Sequence, residues 1–189
     1  MATNSFYTMF VDLLKDTFDA ENQIVEALPK VIQSAAHEDL KIALSEHLEE
    51  TRHQVERLKN IFKILNENPT GTRCRAMQGI LEEGKEVLTK HFSSAAQDAA
   101  LIIACQKVEH YEIAAYGSLR SLAKHLDEAK NSHIDFSEIA DLLDETLEEE
   151  KDADEKLTEV AEGGFFTKGI NDEAQLNSSD KPTKGKKSS

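Results

Sequence analysis

Two glutamates one helical turn apart, Glu109 and Glu112, stand where a core helix should carry leucine or isoleucine. The surrounding residues, from about 95 to 126, have the spacing of an amphipathic helix, which we call helix C, and Glu112 falls on its apolar stripe with Glu109 at the edge. A buried carboxylate is unfavourable unless it is protonated, paired with a cation or bound to a metal, and two close carboxylates also repel each other. The pair therefore predicts a positive charge between the two side chains, and metal binding would supply it.

Two further predicted helices, A and B, also carry polar residues in the middle of an apolar stripe. Helix A has Glu21 there, and helix B has His47 near the centre of the stripe with Glu50 on its flank. At about 100° per residue, His53 turns toward the polar face of helix B. The periodicity favours His47 as the interior histidine, although Glu50 and His53 have the Glu-x-x-His spacing of a ligand pair. A lone histidine on an apolar face is more often a hydrogen-bonded core residue than a ligand.

The last long helix, D, repeats this pattern with Glu150 and Asp154 on its apolar stripe. If helices A and B fold as an antiparallel hairpin, Glu21 lies opposite Glu50. If helices C and D do the same, Glu109 lies opposite Glu150. We therefore expect four helices to bring carboxylates to one level of a bundle.

The predicted ligands are six interior acids and the histidines of helix B, namely Glu21, Glu50, Glu109, Glu112, Glu150 and Asp154, with His47 or His53. Each uncompensated buried charge destabilises a protein by several kcal/mol, and two cations would neutralise most of this set. Oxygen-rich ligation with one or two imidazoles favours two iron or manganese ions, as in the dinuclear sites of four-helix bundles. The alternative is a set of protonated or water-linked acids without a metal.

The helical patterns that carry these residues predict an all-α fold in one domain. Of the 189 residues, 39% are hydrophobic, and only three prolines and eight glycines interrupt the helical patterns. Helices A, B and C are expected near residues 5–34, 40–66 and 95–126, and helix D is expected to end near residue 162. A short helix at 75–91 is expected in the B–C crossover, where it lets helices B and C run parallel. We expect the bundle to occupy residues 1–165 and residues 166–189 to form a disordered polar tail.

Composition narrows the classes of partner. The net charge of −14 argues against nucleic acid and suits a protein that attracts cations. The sequence shows no secretory signal and no apolar run long enough to span a membrane, and its two cysteines do not indicate a disulfide scaffold. We therefore expect a cytoplasmic protein with no membrane partner.

Four segments, at residues 19–23, 47–51, 108–117 and 146–154, resemble the YciE/YciF family of bacterial ferritin-like proteins. The similarity extends from about residue 6 to 161, and the helix C segment Val-Glu-His-Tyr-Glu-Ile-Ala-Ala-Tyr-Gly is its most specific part. The resemblance implies a ferritin-like four-helix bundle that forms a homodimer and takes part in stress responses. The Glu109-x-x-Glu112 pair is also similar to that of rubrerythrins, which reduce peroxide at a di-iron site.

Two departures from rubrerythrins bear on the expected activity. Ala153 stands three residues after Glu150, where a rubrerythrin-like helix D has histidine, and no Cys-x-x-Cys pair is present for a second iron centre. These differences count against rubrerythrin-like electron delivery. Three hypotheses follow: a di-iron or di-manganese protein that reacts with O₂ or peroxide, an iron-handling protein, or a stress-induced structural protein whose metal only stabilises the bundle.

Overall fold

The computed structural model describes residues 5–90, 92–128, 134–163 and 168–178, and all of its regular structure there is helical. The helices are α1 (Ser5–Ser34), α2 (Glu38–Leu65), α3 (Arg75–Val87), α4 (Ser94–Glu128), α5 (Phe136–Glu162) and α6 (Ile170–Ser178). Predicted helices A, B, C and D correspond to α1, α2, α4 and α5, and the short crossover helix is α3. The predicted all-α class is confirmed. No helix in these ranges is long and apolar enough to cross a membrane.

Local capping interactions set the ends of the bundle helices. The ring of His37 accepts a hydrogen bond from the backbone N–H of Asp39 at the start of α2, and the Asp135 carboxylate accepts one from the N–H of Glu138 at the start of α5. Asn66, the residue that follows the last residue of α2, adopts the left-handed conformation at φ 54°. Asparagine tolerates this conformation better than most residues, so the chain turns there.

Helices α1, α2, α5 and α4 form a four-helix bundle in that order around its axis, and each packs on its two neighbours. The hydroxyl of Tyr7, near the start of α1, donates to Glu67, just beyond the end of α2. At the opposite end of α1, the backbone N–H groups of Ala36 and His37 donate to Asp98 near the start of α4. Helices α2 and α4 are thus both antiparallel to α1 and run parallel to each other, as the crossover predicts.

The core consists of two apolar clusters that occupy opposite halves of the bundle. In α1, Leu14 belongs to the first apolar cluster and Ile24 to the second, and Glu21 lies between them. Helix α5 repeats this arrangement, with Glu150 between Leu147 of the first cluster and Leu157 of the second. Burial of the two clusters fixes the rotation of the helices about their axes, so the polar residues between them are turned inward as well.

The last helix, α6, lies within the segment that we expected to be disordered. It packs on α4 and α5, and its first residue, Ile170, is 1% exposed within the second apolar cluster. One apolar anchor thus holds a segment whose composition is otherwise polar. Residues 164–167 and 179–189 lie outside the described residues, so the tail beyond α6 and the domain boundary at 165 stay predictions.

Candidate metal centre

A layer of buried polar side chains separates the two apolar clusters, and we call it the central polar layer. Helix α1 contributes Glu21, α2 contributes His47, α4 contributes Glu109 and Glu112, and α5 contributes Glu150. The four glutamates are at most 1% exposed and the histidine is 5% exposed. His47, Glu109, Glu112 and Glu150 each place one ligand atom within 4.8 Å of those of the other three. A separation of that size allows side chains from three helices to hold one metal ion.

Burial and mutual repulsion keep these carboxyl groups from all being ionised together. Burial raises the pKa of Glu109 and of Glu112 well above the ordinary range, and the nearby charge of Glu150 raises both further. The same two causes, burial first, raise the pKa of Glu21 to about 8. In the absence of a cation, the central polar layer therefore retains protons at neutral pH.

Many polar atoms of this layer have no hydrogen-bond partner. Buried polar atoms in proteins are nearly always partnered, so each unpartnered one calls for an explanation. In the described part of the chain the unpartnered atoms include Glu21 Oε2, His47 Nδ1 and Nε2, Glu109 Oε2, Glu112 Oε1 and Oε2, and Glu150 Oε2. Carboxylate oxygens with one imidazole form the donor set that iron and manganese prefer. The residues of the central polar layer therefore fit such a metal.

Two neutral side chains, Gln54 and Tyr116, orient carboxylates of this layer, although neither was predicted from the sequence as a site residue. Gln54 Nε2 donates to Glu150 Oε1 at 2.5 Å, and the Tyr116 hydroxyl donates to Glu21 Oε1. Each bond leaves the second oxygen of its glutamate free. Groups that hold ligands in place in this way usually tune metal affinity. The sequence feature that could have identified them is their position on the apolar stripes of helices B and C.

Glu50 and Asp154 lie at the edge of the central polar layer. The Glu50 side chain is 41% exposed, and its Oε2 lies 4.0 Å from His47 Nδ1. The Asp154 side chain is 23% exposed, and its Oδ1 accepts a hydrogen bond from Gln106 Nε2 at 3.1 Å. The structure does not place either acid in the buried four-residue group. Both extend the acidic character of the layer toward the surface.

The two histidines of helix B differ in environment as the periodicity predicts. His47 is buried, and its Nε2 lies 3.4 Å from Glu109 Oε1. His53 is exposed. The imidazole available to the central polar layer is therefore that of His47, and its role as a metal ligand stays a prediction.

We expect His47→Ala to lower the affinity for Fe(II) or Mn(II) by at least about tenfold, because the substitution removes a buried donor. His53→Ala should leave affinity unchanged and serves as the matched control on the same helix. The measurement is metal content by elemental analysis after reconstitution without oxygen at a series of metal concentrations. A larger loss in His53→Ala would mean that α2 is rotated and that Glu50 and His53 form the ligand pair.

This fold and this site together define a ferritin-like four-helix bundle with a carboxylate and histidine group at its centre. The chain belongs to the family described as a domain of unknown function, DUF892, which it matches over residues 5–174. The family resemblance noted in the sequence is confirmed.

The relatives of this chain include a bacterial stress protein. The chain is 44% identical to Protein YciF of Escherichia coli strain K12 over 154 residues, which cover 81% of this chain and 88% of that protein. Its structure is similar to that of the E. coli stress protein YciF, with a TM-score of 0.75 and 40% identity over 96% of this chain and 100% of that one. It is also similar to YcfI from Rhodopseudomonas palustris, with a TM-score of 0.77 and 37% identity over 85% of this chain and 99% of that one.

Proposed function

We propose that this protein holds two iron or manganese ions in the central polar layer and reduces peroxide there as part of stress defence. The observation that carries the proposal is the set of unpartnered oxygen and nitrogen atoms contributed by all four bundle helices. The similarity to a bacterial stress protein supports the physiological setting. Two cations would compensate most of the negative charge that the layer carries when its acids are ionised.

Each residue of the layer has a role that follows from its contacts. Glu21 and Glu150 each have one oxygen fixed by a neighbouring side chain and present the other to the interior. Both carboxylate oxygens of Glu112 lack a hydrogen-bond partner and would be available as donors to a metal. His47 and Glu109 complete the donor set from α2 and α4. Two ferrous or manganous ions, if bound by these residues, would together supply the two electrons that reduction of an O–O bond requires.

The protein also provides a proton-bearing group next to the layer. Burial, followed by the nearby charges of Glu21 and Glu112, raises the pKa of the Tyr116 hydroxyl well above its usual value. The hydroxyl therefore keeps its proton at neutral pH and donates it in a hydrogen bond to Glu21 Oε1. Peroxide reduction consumes protons, and the hydrogen-bonded pair of Tyr116 and Glu21 lies within the central polar layer.

A specific observation favours iron handling as the second candidate function. Glu50 and Asp154 are partly exposed at the edge of the central polar layer, so the acidic group continues toward the surface. A protein that takes up and transfers iron needs such a route. The Glu109-x-x-Glu112 pair, which is similar to that of rubrerythrins, favours peroxide reduction over this alternative.

We expect the protein to bind about two Fe(II) ions per chain without oxygen and to oxidise them faster with H₂O₂ than with O₂. Elemental analysis gives the stoichiometry, and rapid mixing with each oxidant in separate runs, followed by ferric absorbance, gives the rates. Glu112→Ala should abolish the fast phase, because it removes two donor oxygens. Glu155→Ala, which alters an exposed acid on α5, is the control and should behave as wild type.

Three outcomes would contradict the proposal. Less than about half an ion per chain after reconstitution would exclude a dinuclear site. Faster oxidation by O₂, with ferric iron accumulating beyond two ions per chain, would indicate iron handling. Oxidation no faster than that of free Fe(II) with either oxidant would mean that the metal only stabilises the bundle.

A further inference from the structure

A cavity of about 270 Å³ lies between α1, α3 and α4 and reaches the central polar layer at His47 and Glu109. We call it the α1–α3–α4 cavity. Its volume approaches the lower end of the roughly 300–1,000 Å³ typical of small-molecule sites. Neither O₂ nor H₂O₂ needs a cavity of this size, because a site for one water molecule needs only about 10–15 Å³. The cavity therefore has room for a larger molecule next to the candidate metal centre.

The walls of the α1–α3–α4 cavity are largely apolar. Its buried inner part is lined by Ile24, Leu28, Leu101, Cys105 and Val108. The half-buried side chains of Ile80 and Leu81 from α3 extend the apolar wall outward. A ligand that fills this space must have a hydrocarbon body, because a polar one would lose its hydrogen bonds to water without replacing them.

The charges around the cavity indicate which end of the ligand is polar. The exposed rim carries Lys30, Arg73 and Lys85, but also Glu26 and Glu82, so it selects no single sign of charge. At the inner end, by contrast, both ring nitrogens of the histidine and one oxygen of Glu109 are buried without hydrogen-bond partners. The polar group of the ligand should therefore point inward, and a neutral head group suits this acidic end better than a carboxylate.

We propose that the α1–α3–α4 cavity binds the alkyl body of an organic hydroperoxide, R–OOH, with its hydroperoxide group at the His47 and Glu109 end. This assignment rests on the proposed function, because it names the peroxide that the same centre reduces. Reduction of R–OOH by two Fe(II) ions with two protons breaks the O–O bond and yields R–OH, water and two Fe(III) ions. The alcohol product keeps the same alkyl body and serves as an unreactive probe.

Small residues at the contact between α3 and α4 help to keep this cavity open. A Cβ atom built on Gly84 of α3 would lie 3.6 Å from Cβ of Ala104 on α4, and both residues line the cavity. A large side chain at position 104 should therefore fill part of the space. Ala100 lies one helical turn earlier, is also half-buried and does not line the cavity. Ala104→Phe and Ala100→Phe thus form a matched pair, and Ala27→Phe fills the cavity from α1.

The first experiment measures binding without any redox step. Butanol, hexanol, octanol and decanol are titrated calorimetrically into the metal-free protein and, in parallel, into protein loaded with Zn(II), which has no redox chemistry. Affinity should rise about fourfold for each added methylene until the cavity is full. Octanol binding should weaken at least about tenfold in Ala104→Phe and in Ala27→Phe, and should be unchanged in Ala100→Phe. Affinity that does not depend on chain length, or that survives both cavity-filling substitutions, overturns the proposal.

The second experiment separates this proposal from the proposed function. Anaerobic Fe(II)-loaded protein is mixed with octyl hydroperoxide or with H₂O₂, and Ala104→Phe should lower the rate with octyl hydroperoxide several-fold relative to the rate with H₂O₂. Oxidation by H₂O₂ but not by octyl hydroperoxide would overturn the substrate assignment and leave the proposed function standing. If neither peroxide reacts, the proposed function fails, and the assignment of a hydroperoxide fails with it even if octanol binds.

Discussion

Chelation of the metal is expected to lower the melting temperature of the reconstituted protein by roughly 10 °C near neutral pH, and by much less near pH 5. A metal present at a thousand times its dissociation constant stabilises the folded state by about 4 kcal/mol, if it binds only that state. Acid removes this stabilisation because protonated carboxyl groups do not bind metal ions.

The metal-free protein should show the opposite dependence on pH. The pKa of Glu21 is raised from 4.5 to about 8 by burial and by the charge of Glu150, and the pKa values of Glu109 and Glu112 are raised too. A group whose pKa is higher in the folded state binds its proton more tightly there, so it stabilises the fold fully below its unfolded pKa. That stabilisation is lost as the pH rises from about 4.5 toward 8. Metal-free protein should therefore melt at a lower temperature at neutral pH than near pH 5.

Thermal melts at a series of pH values, with and without chelator and at constant salt, measure both dependences. The melting temperatures of metal-loaded and metal-free protein should diverge as the pH rises. Near pH 5 bound protons neutralise the buried carboxylates in both, whereas at neutral pH only the metal-loaded protein has its carboxylates neutralised. His47→Ala should bring the two melting temperatures closer together, and His53→Ala should leave their separation as in wild type. Identical melting temperatures with and without chelator at neutral pH would count against any buried metal site.

The second large effect is expected from Glu112→Leu, which should stabilise the metal-free protein at neutral pH and abolish its stabilisation by metal. Glu112 is 0% exposed, and neither of its carboxylate oxygens has a hydrogen-bond partner. Replacing such a group by an apolar side chain of similar size removes the cost of burying it. We expect a gain of about 1–4 kcal/mol in the free energy of unfolding. A residue that destabilises its own metal-free fold is best explained by a ligand that is absent from that state.

Urea unfolding of metal-free protein at neutral pH and near pH 5 tests this second expectation. The gain should shrink in acid, because protonated Glu112 is less costly to bury than its charged form. Glu155→Leu makes the same change at an exposed acid and should alter stability by no more than about 0.5 kcal/mol. A loss of stability in metal-free Glu112→Leu would show that the carboxyl group supports the fold itself.

Helical periodicity alone predicted which side of each helix faces the interior. Counting at 3.6 residues per turn placed Glu21, His47 and Glu112 on apolar stripes, and all three are buried. The same count turned His53 outward, where the structure has it. These predictions succeeded because a side chain's direction from the helix axis is a property of one helix and does not depend on what packs against it.

Depth within the bundle was decided by tertiary packing. Periodicity placed Glu50 on the flank of its stripe and Asp154 on the stripe itself, and we counted both among the interior acids, yet their side chains are 41% and 23% exposed. How far a side chain on a stripe or at its edge is covered depends on the neighbouring helices, and the sequence period does not report how close those helices come. The sequence period likewise did not predict α6. This helix forms within a polar segment because Ile170 packs in the second apolar cluster.

Contacts between helices were likewise decided only by the fold. Gln54 and Tyr116 lie on the apolar stripes of their helices, but their hydrogen bonds to Glu150 and Glu21 join residues that are 96 and 95 positions apart along the chain. The α1–α3–α4 cavity exists because α3 packs on α1 and α4 with Gly84 facing Ala104. The sequence by itself thus determined the chemical type of the site and the helices that carry it, since both follow from residue type and period. Only the tertiary structure decided which donors meet, which remain unpartnered and which cavity adjoins them, because each of these depends on distances between helices.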